Sequence, residues 1–334
     1  MYADDQDGTW AAPAAAGPVR ARIWLPASKS ITNRALVLAA LSDRPARIAN
    51  PLRARDTLLA ADALRALGTE VRDESPVESG PGWRVTAGQP AAGSRVSVDV
   101  GNAGTVMRFL PAVAALTSAT VRFDGDERIR QRPVGPILAA LRDLGARIED
   151  DGRGAAPFTV LGQGEVRGGT VTLDASGSSQ LISGLLLAAP RFGQGIEIRH
   201  EGPPIPSAPH IAMTVRLLQA AGADVTESRS VSSSAGRPDG WRVRPGRLDL
   251  GSVTVEPDLS NAGPFLAAAL VTGGTLSLPG WPPDSLQAAG PILDVLTQMG
   301  ALCEVSAEGL TVLGPGTIRG ITADLRDVAE LAPV

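Results

Sequence analysis

Lys29 is the only lysine among the 31 basic residues of this chain, and it stands inside Ser28-Lys29-Ser30-Ile31-Thr32-Asn33-Arg34. If a helix starts near Ser28, Lys29 and Ser30 fall in its first turn, and Arg34 follows one turn after Ser30 on the same face. The N-terminal end of a helix is positive and normally attracts acids. Two cations and a hydroxyl there make sense when an anionic ligand occupies that end; the plain alternative is an incidental surface lysine. Arg128, Arg130 and Arg132 form a second cationic group. At alternate positions of an extended strand they point the same way, and Arg132 precedes Pro133, a residue type favoured at the first helical position. A charged strand edge would share this pattern, but guanidinium groups also suit two-pronged recognition of carboxylate or phosphate. Ser178-Ser179-Gln180 and Ser207 add hydroxyls and an amide at two further expected helix starts, where each alone would be an ordinary cap. Together these residues describe a pocket for two or more anionic groups.

The elements that must position them repeat. Gly/Ser/Asn-rich openings at Lys29, Asn102, Ser178 and Ser260 precede Ala/Leu-rich runs and lie 73, 76 and 82 residues apart. A second series of helix openings at Asp56-Thr57, Arg132-Pro133, Ser207-Ala208-Pro209 and Asp284-Ser285 follows the first by 27, 30, 29 and 24 residues. The second-series runs stop at Gly68, Gly145, Gly222 and Gly300, glycine being the usual residue just past a helix end. Strand-like sequence follows each stop. The expected unit is strand–helix–strand–helix–strand–strand, in four copies, with a fifth beginning near Ala323. Residues 73–82 and 227–240 read as hairpin connections.

Composition narrows the functional classes. Hydrophobic residues make up 43% of the 334 and aromatics only 3%, so small and aliphatic side chains must fill the core. A net charge of −4 argues against a general nucleic-acid binder. Cys303 is the single cysteine, which excludes a disulfide framework; it reads as a small core residue at a strand start. His200 and His210 are too few for a metal centre. Gly101-Asn102-Ala103-Gly104-Thr105 lacks the Lys-Ser/Thr end of a P-loop, and no dinucleotide fingerprint is present. No signal-peptide order precedes residue 17 and no apolar run approaches ~18 residues, so a soluble cytoplasmic protein is expected.

Five motifs in order carry a family resemblance: Ser28–Arg34, Gly101–Phe109, Arg130-Gln131-Arg132-Pro133-Val134, Ser178–Ala189 and Glu256–Ala262. From about Pro18 to Val334 the sequence resembles the 5-enolpyruvylshikimate-3-phosphate synthases (3-phosphoshikimate 1-carboxyvinyltransferases). The related UDP-N-acetylglucosamine enolpyruvyl transferases share the fold but not the Ser-Ser-Gln and Arg-Pro motifs in this form. The resemblance implies an α/β enolpyruvyl transferase fold, an inside-out α/β barrel of two domains built from βαβαββ modules. One domain spans 28–255; the other, discontinuous and incomplete, comprises 1–27 plus 256–334.

The implied reaction transfers the carboxyvinyl group of phosphoenolpyruvate to the 5-hydroxyl of shikimate 3-phosphate and releases phosphate. It belongs to the shikimate pathway to chorismate and aromatic amino acids, uses no metal or organic cofactor, and has a monomer as its working unit, with neither nucleic acid nor membrane as partner. By the same resemblance Lys29, Ser30, Arg34, Ser178, Ser179, Gln180, Ser207 and Glu330 bind shikimate 3-phosphate. Lys29, Gly104, Arg132 and Gln180 bind phosphoenolpyruvate, whose place glyphosate takes in this family. Glu330 stands where the family has its catalytic carboxylate, commonly Asp, with Asp327 as the neighbouring candidate; Lys29 is the other catalytic residue. Family members continue for roughly 100 residues beyond this point. They carry further Arg and Lys that clamp phosphoenolpyruvate, so a C-terminally truncated enzyme with little or no turnover of its own is expected. A non-catalytic binder of shikimate 3-phosphate and an inert gene remnant are the alternatives.

Overall fold

The computed structural model describes residues 14–77, 80–230 and 237–328. After β1 (Arg20–Arg22) the first unit supplies α1 (Lys29–Ala40), β2 (Ala46–Ala49), α2 (Arg55–Ala66), β3 (Glu70–Val77) and β4 (Gly80–Thr86). The second has β5 (Arg95–Asp99), α3 (Gly104–Ala115), β6 (Thr120–Asp124), α4 (Gly135–Asp143), β7 (Arg147–Glu149) and β8 (Phe158–Leu161). The third has β9 (Gly169–Leu173), α5 (Gln180–Ala188), β10 (Ile196–His200), α6 (Pro209–Ala220), β11 (Val225–Ser228) and β12 (Gly240–Val243). The fourth has β13 (Ser252–Thr254), α7 (Gly263–Thr272), β14 (Thr275–Pro279), α8 (Ala289–Gln298), β15 (Leu302–Ser306) and β16 (Gly309–Leu313). The α/β class and the expected unit both appear, and the repeat reaches single hydrogen bonds. Gly68, Gly145, Gly222 and Gly300 all have φ between 88° and 105°, a region that other residues enter at a cost. The residue after each glycine donates its N–H to the carbonyl of Leu64, Leu141, Leu218 or Leu296 at 2.9–3.0 Å. The four second-series helices thus end in one and the same stop.

Two sheets are each built from the four strands of one unit, β5-β6-β8-β7 and β9-β10-β12-β11. The other two exchange their first strands and run β13-β2-β4-β3 and β1-β14-β16-β15. The chain therefore crosses twice between the units. The two crossings lie side by side, with Ser28 N donating to Glu256 O and Asp258 N to Pro26 O, each at 2.8 Å. Buried side chains form two clusters to match, one from Ala27 to Val255 and one from Leu259 to Val328 with Ala21, Ile23 and Leu25 against it. In the first cluster α1, α3 and α5 pack on one another, and every residue of α3 is buried. Helices apolar on all faces belong in such a centre. Close approach depends on Gly184 of α5, where an added Cβ would lie 2.3 Å from the Arg108 carbonyl oxygen of α3.

Several expectations are corrected. α8 begins at Ala289, not at Asp284-Ser285. Ser285 Oγ, Leu286 N and Gln287 Nε2 all donate to the Glu256 carboxylate, at 2.7, 2.9 and 3.1 Å, which holds that stretch as an anion-binding turn. α4 begins at Gly135, with Pro136 in its first turn, rather than at Arg132-Pro133. Glu127–Gln131 form a 3-10 turn, so Arg128, Arg130 and Arg132 do not share one strand edge. Arg130 turns outward to Asp124 at 2.9 Å, and Arg132 turns inward. Most of 73–82 is strand; 78–79 lie outside the described residues, as do 231–236 of the second connection. The expected start of a fifth unit forms no strand among residues 314–328; instead Leu325 and Val328 pack on the second cluster. Cys303, in β15, is half-buried and its thiol is pushed up by burial.

Candidate functional site

The site is built where the crossings meet the starts of α1, α3, α5 and α6. Ser28 caps α1, its hydroxyl accepting from Ile31 N at 3.4 Å. The Lys29 N–H is already taken: it donates to Asp258 Oδ2 at 3.1 Å. Lys29 Nζ lies 3.4 Å from Asp56. Acids that are absent from the first turn of α1 thus arrive from elsewhere in the chain. Asp258 is 6% exposed and also accepts from Ser260 Oγ at 2.5 Å. The sequence shows it only as part of the Glu256-Pro257-Asp258 motif, with no role attached. Ser30, His210, Asp258, Gln287 and Asp327 line a cavity of about 40 Å³ beside this point. Burial, followed by the Arg34 charge, holds the His210 imidazole down at about 4, against the pull of Asp258.

Arg34 does not stand in the open next to Ser30. It is 1% exposed, with its guanidinium over the Phe109 ring at 5.2 Å. It donates to Thr214 Oγ1 at 2.7 Å, Ser30 O at 3.0 Å, His210 O at 3.1 Å and Ser183 Oγ at 3.2 Å. Apart from Ser30 O in its own helix, its hydrogen-bond partners come from α5 and α6, which no local spacing reveals. Among the described residues no carboxylate pairs with it, and burial alone brings it down to about 9.

A second corner forms at the start of α3. Gly104 does not have a left-handed φ, so it is not a turn glycine. An added Cβ would lie 2.6 Å from Arg132 Nη2 and 2.8 Å from Arg108 Nη1. Arg132 Nη1 donates to Asn102 O at 3.0 Å. Arg108, which sequence reasoning left without a role, donates to Gln180 Oε1 at 2.8 Å. Burial first and the Arg132 charge second pull it down to about 10. Among the described residues neither Arg108 nor Arg132 is within ion-pairing reach of a carboxylate. A buried cation without a partner is costly, and two facing each other across a glycine make a place for an anion. Asn33 Nδ2 donates to Thr105 Oγ1 at 2.8 Å and ties this corner to α1.

The remaining expected residues are distributed as follows. Ser179 is buried, and Ser178 Oγ accepts from Gln180 N at 3.3 Å. Ser207 has φ 51°, a strained value for a residue with a side chain; its N–H donates to Arg326 O at 2.9 Å. Asp327 accepts from Arg237 at 2.6 Å, and its other oxygen is buried without a partner. Glu330 lies outside the described residues. No helix among the described residues is long and apolar enough to cross a membrane.

The family described as EPSP synthase (3-phosphoshikimate 1-carboxyvinyltransferase) matches residues 13–334. A 3-phosphoshikimate 1-carboxyvinyltransferase of Kocuria rhizophila is 48% identical over 334 aligned residues, covering 98% of this chain and 73% of the relative. Two solved structures of EPSP synthase from Acinetobacter baumannii superpose with TM-scores of 0.74 and 0.73 at 23% identity. Both cover 95% of this chain, and they cover 70% and 72% of their own; at that identity they speak to the fold. The profile match and the Kocuria relative together show that the chain belongs to the EPSP synthase family.

Proposed function

We propose that this chain transfers the carboxyvinyl group of phosphoenolpyruvate to the 5-hydroxyl of shikimate 3-phosphate and releases phosphate. The observation that carries the reading is the corner at Gly104, where two guanidinium groups without acidic partners converge beside the Gln180 amide. Phosphoenolpyruvate brings a phosphate and a carboxylate to that corner, held by Arg132, Gln180 and the Lys29 ammonium, with Gly104 leaving the space. Shikimate 3-phosphate lies against Ser30, Arg34, Ser178, Ser179, Gln180 and Ser207. The 5-oxygen gains the vinyl carbon, its proton passes to Glu330, and the bond to phosphate breaks with its electron pair leaving on phosphate. Cations fixed before the reaction stabilise that leaving charge. The reaction calls on no metal or organic cofactor. The two clusters support a division into a 28–255 domain and a second domain of 1–27 plus 256–334, each part of an inside-out barrel of modules. A cytoplasmic monomer fits a reaction between two small phosphorylated metabolites.

The test is to mix the purified chain with both substrates and follow phosphate release together with the mass of the enolpyruvyl product. Equimolar phosphate and product, lost in Lys29→Met, is expected. Binding of both ligands without product would reduce the chain to a binder, and absence of binding would overturn the reading.

A further inference from the structure

The reaction just described gives Arg108 no substrate contact, yet its placement is costly. It lies in the second turn of α3, in a helix otherwise free of charge, and is 6% exposed. Nη1 donates to Gln180 Oε1 at 2.8 Å, Nη2 donates to Pro133 O at 3.2 Å, and Nε is buried with no acceptor. A glutamine amide has an accepting oxygen and a donating nitrogen. With Oε1 held by a guanidinium, Nε2 must face away from it, because the reversed amide would set donor against donor. Gln180 would otherwise turn freely about its last torsion. Arg108 is itself fixed from behind, since Gly184 of α5 packs directly on its carbonyl oxygen.

We propose that Arg108 is a positioning residue that locks the Gln180 side chain so that its amide N–H₂ is offered as a donor to the anionic substrate beside Gly104 and Arg132. The proposal rests on the reading of that corner as the phosphoenolpyruvate place. A purely structural Arg108, one that fills the core and satisfies Pro133 O, would not act through Gln180.

A double-mutant cycle separates the two roles. The dissociation constant of phosphoenolpyruvate is measured by calorimetry on the chain saturated with shikimate 3-phosphate, for R108M, Q180A and R108M/Q180A. Melting temperatures and the shikimate 3-phosphate constant are read alongside. Q180A and R108M are each expected to weaken phosphoenolpyruvate by about tenfold or more, whereas R108M in the Q180A background costs less than about threefold. R108K keeps a donor for Oε1 and recovers part of the loss. Additive effects overturn the proposal, and so does equal weakening of both ligands with a lowered melting temperature. If R108M does not fold, R108K and R108K/Q180A complete the same cycle. Q180A without effect on phosphoenolpyruvate would instead overturn the reading of the corner, which is a separate failure.

Discussion

Replacing Gly104 with alanine puts a methyl carbon 2.6 Å from Arg132 Nη2 and 2.8 Å from Arg108 Nη1. Ordinary contact begins near 3.4 Å, so both guanidinium ends must withdraw by several tenths of an ångström. They are the far ends of long side chains and can do so. The backbone at Gly104 is not left-handed, and alanine is a better helix former than glycine, so the fold should stand and the melting temperature should move by no more than about 3 °C. The cost falls on the anion that Arg132 and Gln180 hold there. Loss of one charge-assisted hydrogen bond is worth about 1.5–3 kcal/mol, or roughly ten- to 150-fold in affinity. Titration of phosphoenolpyruvate into the chain saturated with shikimate 3-phosphate should show that loss, and glyphosate should lose affinity with it. The shikimate 3-phosphate constant should change by less than about twofold, since its contacts lie at other helix starts. Equal weakening of both substrates, together with a large fall in melting temperature, would refute the reasoning.

Gly184→Ala is expected to behave in the opposite way. Its Cβ would meet backbone, at 2.3 Å from Arg108 O, and Ile137 Cδ1 at 2.8 Å; overpacking of this kind costs about 1–3 kcal/mol, and a chemical denaturation series should show it while ligand selectivity is kept. The His210 imidazole titrates at about 4 in the fold instead of 6.5. As pH falls from 6.5 towards 4 the unfolded chain takes up a proton that the folded chain does not, so stability declines across that window. His210→Gln should flatten the decline in denaturant midpoints measured at pH 7, 6 and 5, and an unchanged slope would remove His210 as its cause.

The module order was legible because its signals are local: an Ala/Leu run, a Leu four positions before a Gly, and then strand. The exchange of first strands has no such local signal; only the resemblance implied it, by joining 1–27 to 256–334. β1 and β13 have three residues each, and their partners lie far along the chain, Arg20 opposite Thr275 and Ser252 opposite Arg47. Helical spacing correctly placed Arg34 one turn after Ser30 but could not show that Ser183, Thr214 and the His210 carbonyl close over it. Asp258 reaches the α1 start only because the two crossings run side by side. Arg108 was in plain view inside Gly101–Phe109, but a lone charge in an apolar run does not say whether it faces solvent or a buried amide. Gly104, Arg132 and Gln180 come from three separate segments, and their meeting at one corner is a property of how α3 and α5 pack.

The measurement that bears most directly on the account is calorimetric titration of the purified chain with shikimate 3-phosphate, with UDP-N-acetylglucosamine titrated in parallel. The account predicts saturable one-to-one heat with shikimate 3-phosphate, weakened in Arg34→Lys, and none above dilution with the nucleotide sugar. A folded chain that binds UDP-N-acetylglucosamine and ignores shikimate 3-phosphate would contradict it.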